Sequence, residues 1–126
     1  MQPIQLFAIA SEQAHWLSLR QSVVAGNIAN VNTSGYAARE VEPFESVLQD
    51  TGIRMATTHP AHLADDSMRS SVKTASIVAD TEVLPSGNSV NLPDEIAKTS
   101  EIKRAYEMNT GLMKSFHRMM LMTVRR

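Results

Sequence analysis

The chain contains no cysteine, and aromatic residues make up only 5% of its 126 positions. The first absence excludes a disulfide framework, a thiolate metal site and a cysteine nucleophile. It leaves the compartment open, because disulfide-free proteins work in every compartment. Long hydrophobic runs are also missing: no stretch approaches the roughly 20 apolar residues that a membrane-spanning helix needs. The first twenty residues carry Glu12 and His15 and have no basic start ahead of an apolar run. They do not read as a cleavable secretory signal, so any export is expected to use another route. A formal net charge of -1 supplies no global pull toward nucleic acid or acidic lipid.

What is present is an ordinary soluble composition, 43% hydrophobic and 20% charged, in a length that suits one domain with a modest core. Eight methionines stand out, five of them between Met108 and Met122. Methionine is unbranched and polarizable, so it suits either a surface that adapts to several neighbours or the filling of a helical core.

Periodicity predicts two long helices, one at each end. From Ile4 to Val31, apolar residues recur at Phe7, Ala10, Ala14, Leu17, Val24 and Ile28. Gln21 is the one polar interruption, and Ile9, Trp16 and Val23 widen the stripe. Steps of three and four residues place these on one face. The run Asn30-Val31-Asn32-Thr33-Ser34-Gly35 then stops the helix, since Asn and Gly tolerate the left-handed backbone that ends helices. A short helix is expected near Pro43. From Gln49 to Asn91 no long period appears, although Val72 to Leu84 holds short apolar pieces that read as an edge strand.

The second long helix is predicted over Leu92 to Val124. Asn91 suits the N-cap, Pro93 the first turn, and Asp94 and Glu95 the positive helix end. Its stripe is Ile96, Ile102, Tyr106, Met113, Phe116 and Met120, with Thr99 and Asn109 interleaved. The fold expected is mainly α: two long amphipathic terminal helices packed as an antiparallel, coiled-coil-like pair with an irregular, partly β central arm. Residues 1–36 form the N-terminal axial helix and its Asn-rich turn, 37–91 the arm and 92–126 the C-terminal axial helix, together one structural domain. The packing seam is assigned to Phe7, Leu17, Val24, Ile96, Ile102, Met113, Phe116 and Met120. Such narrow seams leave apolar surface that one pair of helices cannot cover, and exposed apolar surface of this extent marks an interface. Both helices are accordingly expected to become fully ordered only when neighbours cover their seams.

His59-Pro60-Ala61-His62 with Asp65 and Asp66 has metal-ligand residue types, but Pro60 opposes a regular helix and no third ligand is fixed by spacing. A solvent-facing loop is the reading preferred, and no metal or cofactor is expected. His15 and His117 read as interface or surface residues. No nucleophile elbow, phosphate loop or paired carboxylates appear, so no enzyme is expected. Asn27, Asn30 and Asn32 are assigned to capping, turning or bonding between chains. The C-terminal helix is basic beyond its first turn (Lys98, Lys103, Arg104, Lys114, Arg118), without any accompanying nucleic-acid motif. Charge complementarity between neighbouring subunits is the simpler reading.

Two motifs carry a resemblance. Asn27-Ile28-Ala29-Asn30, followed by Thr33, Gly35 and Tyr36, resembles the A-x-N-I-A-N-x-x-T-P-G-Y signature of the flagellar rod and hook axial proteins. Gly87, Asn88, Val90, Leu92 and Glu95 resemble the G-N-x-V-x-L-x-x-E start of the C-terminal helix in a proximal-rod branch, and Tyr106 also sits where that helix has it. This second motif and the short chain favour that branch over an FlgC-like sister. Ser34 replaces the usual proline, which predicts a less rigid turn.

The resemblance implies a non-catalytic structural subunit that leaves the cell by flagellar type III export and joins the periplasmic rod of the basal body. There it would transmit torque and contact its own copies, FlgC- and FlgF-like rod proteins, a FliE-like adaptor, the membrane ring and the export gate. Neither nucleic acid nor membrane insertion is implied. A small helical export chaperone and a nucleic-acid-binding helical protein are the rival readings.

Overall fold

The computed structural model describes residues 3–49, 74–76 and 83–124. The first helix, α1, runs Pro3–Ala29 and is followed by strand β1 (Arg39–Val41) and a short helix α2 (Phe44–Gln49). Strand β2 (Thr74–Ser76) and the second long helix α3 (Leu92–Val124) complete the order. The mainly α architecture with two long terminal helices matches the periodicity. The expected edge strand within 72–84 is β2, which pairs antiparallel with β1 in the register Arg39↔Ser76, Glu40↔Ala75, Val41↔Thr74. The His59–His62 run and the rest of 50–73 and 77–82 lie outside the described residues, so the metal reading is untouched by the structure.

The long helices pack antiparallel. Phe7 meets Phe116 edge to face at 5.5 Å, Asn109 reaches the Ala10 carbonyl, and Asn27 reaches Glu95. Their 27 and 33 residues correspond to lengths of about 40 and 50 Å at the standard helical rise.

Burial follows a seven-residue interval on both helices. Ala10, Leu17 and Val24 are buried on α1, and Glu95, Ile102 and Asn109 on α3. This is the repeat of a coiled-coil seam, in which matched layers stack along the pair. Leu17, Val24 and Ile102 form the core cluster, with Trp16, Ile28 and Ala105 packed against it. Phe7, Met113, Phe116 and Met120 are half-buried.

One assigned seam position and one further stripe residue differ: Ile96 is 54% exposed and Tyr106 is 51% exposed. One residue is a rotation of about 100° around a helix, so once Glu95 faces α1 its neighbour Ile96 is carried to the flank. Tyr106, four residues past Ile102, is turned about 40° from it toward the flank. The seam therefore contains Asn109, which the spacing places on the stripe, and also the charged Glu95, which it does not.

The helix ends are defined by backbone hydrogen bonds. After Ala29 the chain tightens: the Asn30 amide bonds the Gly26 and Asn27 carbonyls, and the Val31 amide the Ile28 carbonyl. Bonds to the third residue back are the usual tightening at a helix C-terminus. Gly35 adopts a φ of 73°, in the left-handed region that favours glycine. At α3 the Asn91 carbonyl accepts the Glu95 amide at 3.1 Å, which places Asn91 at the N-cap.

Candidate functional site

The two sequence motifs, over fifty residues apart, meet at one junction between the end of α1, the start of β1 and the start of α3. Asn88 is the centre of one half. Its Nδ2 lies 2.9 Å from the Asn30 carbonyl, 2.9 Å from that of Val31 and 2.8 Å from that of Thr33. An amide nitrogen has two hydrogens, so one of them is shared between two acceptors. Its Oδ1 accepts the Val90 amide at 2.7 Å. Asn88 therefore caps the turn after α1, although it belongs to the segment that leads into α3.

Asn27 anchors the other half and is completely buried. Its Nδ2 donates to the Arg39 carbonyl at 2.7 Å and to Glu95 Oε2 at 3.0 Å. Its Oδ1 accepts the Arg39 amide at 3.0 Å. One side chain thus supplies the donor and acceptor that a neighbouring strand would give to β1 at Arg39. Every polar atom of this amide has a partner, which is the condition for burying it.

Further bonds lace the two strands of the junction together. The Gly35 amide donates to the Ser86 carbonyl, and the Ser89 amide to the Tyr36 carbonyl. The Ala38 amide donates to Ser89 Oγ at 2.9 Å. Ser34 gains a role here, since its hydroxyl donates to the Ser86 carbonyl at 2.9 Å. The turn expected to loosen for want of proline is tied across instead. Gly87 has a φ of 79°, and a Cβ added there would stand 3.3 Å from the Gly35 Cα. Glycine is required at this crossing by both conformation and space.

Charges close the junction. Glu95 is 2% exposed, and its carboxylate accepts from Asn27 and pairs with Lys98 at 3.0 Å. Lys98 also reaches Glu40 at 3.2 Å. Burial pushes the Lys98 ammonium down, but hydrogen bonds to Glu95 and Glu40 and their negative charges outweigh it, so its pKa stands above the ordinary 10.5. Arg20 lies 3.4 Å from Glu40 and 3.6 Å from Glu101, and its guanidinium sits over the Trp16 ring. Trp16 donates Nε1–H to the Glu42 carbonyl at 2.8 Å and packs on Phe44. These contacts seat β1 and α2 against one side of α1.

The motif residues divide into those brought together and those left outside. Asn27, Asn88, Val90 and Glu95 are buried, and Gly35, Tyr36 and Gly87 form the crossing. Asn30 works locally: its Nδ2 donates to Gly26 and its Oδ1 accepts the Thr33 hydroxyl. Ile28 packs against the core. Ala29, Leu92 and Tyr106 face outward, apart from the junction.

The sequence assigns no role to Arg20, Glu40 or Ser89, places Trp16 only on the packing stripe, and marks Lys98 only as part of a basic helix. The opposite charges of Glu95 and Lys98 at a three-residue spacing were the available signal. Asn109 was noted at seam spacing but given no function. Among the described residues, its Oδ1 is the buried side-chain polar atom without a hydrogen-bond partner.

The surroundings offer little for small-molecule chemistry. A cavity of about 170 Å³ opens beside Glu40, Asn91, Asp94 and Lys98. A shallow groove of about 630 Å³ runs between the long helices over Leu17 and Ile102, flanked by Ala14, Ser18, Lys103 and Tyr106. No group of three or more potential metal ligands occurs among the described residues. No helix among them is long and apolar enough to cross a membrane.

One half of the junction lies in a stretch that matches a known family. The family model described as flagella basal body rod protein matches residues 17–36, the second half of α1 and the turn through Tyr36. The flagellar basal body rod protein FlgB of Agrobacterium fabrum (strain C58) is 53% identical over 130 residues, covering 100% of this chain and 97% of that one. With that identity across the whole length, the chain belongs to the FlgB family of flagellar basal body rod proteins.

Proposed function

We propose that this rod subunit occupies the proximal rod, where it passes torque from the membrane ring to the rod proteins beyond it. In this reading residues 1–36 and 92–126 are its axial part and 37–91 an arm reaching neighbours outside that core. The observation that carries it is the uneven finish of α3. Met108, Leu112, Met119, Leu121, Met122 and Val124 are all more than half exposed, on a helix whose other end is closed by the buried junction. Apolar side chains in such number on one helix suit contact with other subunits.

Ordering on assembly then applies to this open end, because Leu17, Val24 and Ile102 are already covered within a single chain. The proposed neighbours are further copies, FlgC- and FlgF-like rod proteins and a FliE-like adaptor, with the membrane ring and export gate below. Export through the flagellar type III apparatus without a cleaved signal, into the periplasm, belongs to the same proposal. Asn27, Asn88, Gly87 and Glu95 act in it as the residues that hold the axial helices and arm in one geometry.

The test is a deletion strain. Loss of motility with basal bodies that lack a rod above the membrane ring is the expected outcome. Normal filaments in the absence of the protein would overturn the assignment.

A further inference from the structure

We propose that the junction is a conformational latch that makes the end of α1, the β1–α2 arm and the start of α3 a single cooperative unit, with Asn88 as its closing residue. The Gly26, Asn27 and Ile28 carbonyls that end α1 are met locally by the Asn30 and Val31 amides, and what remains to be tied is the turn beyond them. Here the carbonyls of Asn30, Val31 and Thr33 converge on Asn88. The turn after α1 is therefore tied to the segment before α3, in addition to its local bonds from the Thr33 and Tyr36 amides to the Asn30 and Thr33 carbonyls.

The converse dependence also holds. The Glu95 carboxylate at the start of α3 is buried, and part of what makes that burial tolerable is the Asn27 amide on the last turn of α1. Asn27 in turn spans the amide and carbonyl of Arg39, so β1 is fixed by both helices at once. The arm has one further anchor on α1, the Trp16 bond to Glu42 and its packing on Phe44. Removing any one of these connections takes a hydrogen-bond partner from a group on another element, which is the physical basis of cooperativity here.

The far end of the pair has no such device. Phe7 against Phe116 and the Asn109 bond to Ala10 are its cross-helix ties among the described residues, and α3 beyond them is largely exposed. Opening free energy should therefore fall steeply from the latch toward the far end. This statement concerns a single chain and stands whether or not the proximal-rod assignment does.

Hydrogen exchange on the full-length monomer tests it. Slow exchange is expected at Val24–Val41 and Val90–Ile102, and fast exchange at Met113–Val124. N88D is the decisive variant, because it keeps size and the acceptor for Val90 but puts a carboxylate against three carbonyls. Protection should fall together at Gly26–Tyr36, Arg39–Val41 and Glu95–Ile102, by at least about tenfold for the loss of capping hydrogen bonds. Trp16 emission should shift to the red as the arm leaves α1, while exchange at Met113–Val124 stays as it was.

A loss confined to Asn88–Val90, or equal protection along both long helices in the unaltered chain, would overturn the latch. If N88D retains too little structure to measure, S89A decides, since it removes only the acceptor of the Ala38 amide. Joint loss across the three segments supports the latch, and loss at Ala38 alone overturns it. Failure here would leave the deletion-strain phenotype, and with it the rod assignment, unaffected.

Discussion

Asn27 and Asn88 show what a buried amide contributes that an apolar side chain cannot: each satisfies backbone groups of elements far away in the sequence. The two crossing glycines give a sharper test of residue-scale geometry. G35A meets open space and only the positive φ, so it should destabilise by about 1–2 kcal/mol. G87A carries the same conformational cost and also crowds the Gly35 backbone, so its urea midpoint should lie clearly below that of G35A. Equal midpoints would show that the close approach is unimportant.

Lys98 supplies a pH dependence with a definite sign. Its folded pKa is raised above 10.5, so its contribution is complete below the unfolded value and is lost as pH rises through the folded value. Urea unfolding should show stability falling in the alkaline range above 10.5, with the fall reduced in K98M. The same variant should be less stable at neutral pH, because it leaves the buried Glu95 carboxylate without its cation.

Among the elements, the helix pair was the most legible from sequence, and α3 was bounded as expected at Leu92–Val124. Apolar spacing and turn residues suffice for existence and ends. They do not suffice for which flank faces the partner: Glu95 occupies an inward position that an apolar criterion assigns to surface, and Ile96 and Tyr106 do the reverse. The junction was half legible, as two motifs whose contact depends on chain reversal through the arm. Substitutions should follow burial rather than hydrophobicity. L17A should cost about 2–4 kcal/mol by opening the core, whereas I96A should change monomer stability by less than about 0.5 kcal/mol. Asn109 is the unusual case, with an unpaired buried oxygen. N109L should be neutral or stabilising in thermal unfolding, because it removes an unsatisfied acceptor along with one bond to Ala10.

At the scale of the molecule, one end is closed by polar bonds and the other left open in methionine and leucine. A double variant M119S/M122S should leave the monomer's unfolding midpoint almost unchanged, since both side chains are exposed. It should nevertheless fail to restore swimming to a deletion strain. Full complementation would show that this end of α3 is not a contact surface.

The tie from Asn88 to the turn after α1 bears on chains that are not whole. Asn30 and Asn88 are 58 positions apart, so any fragment that stops short of Asn88 lacks the side chain that joins this turn to the start of α3. A product terminated before Asn88 should therefore be cut faster by a protease at the end of α1 than the complete chain.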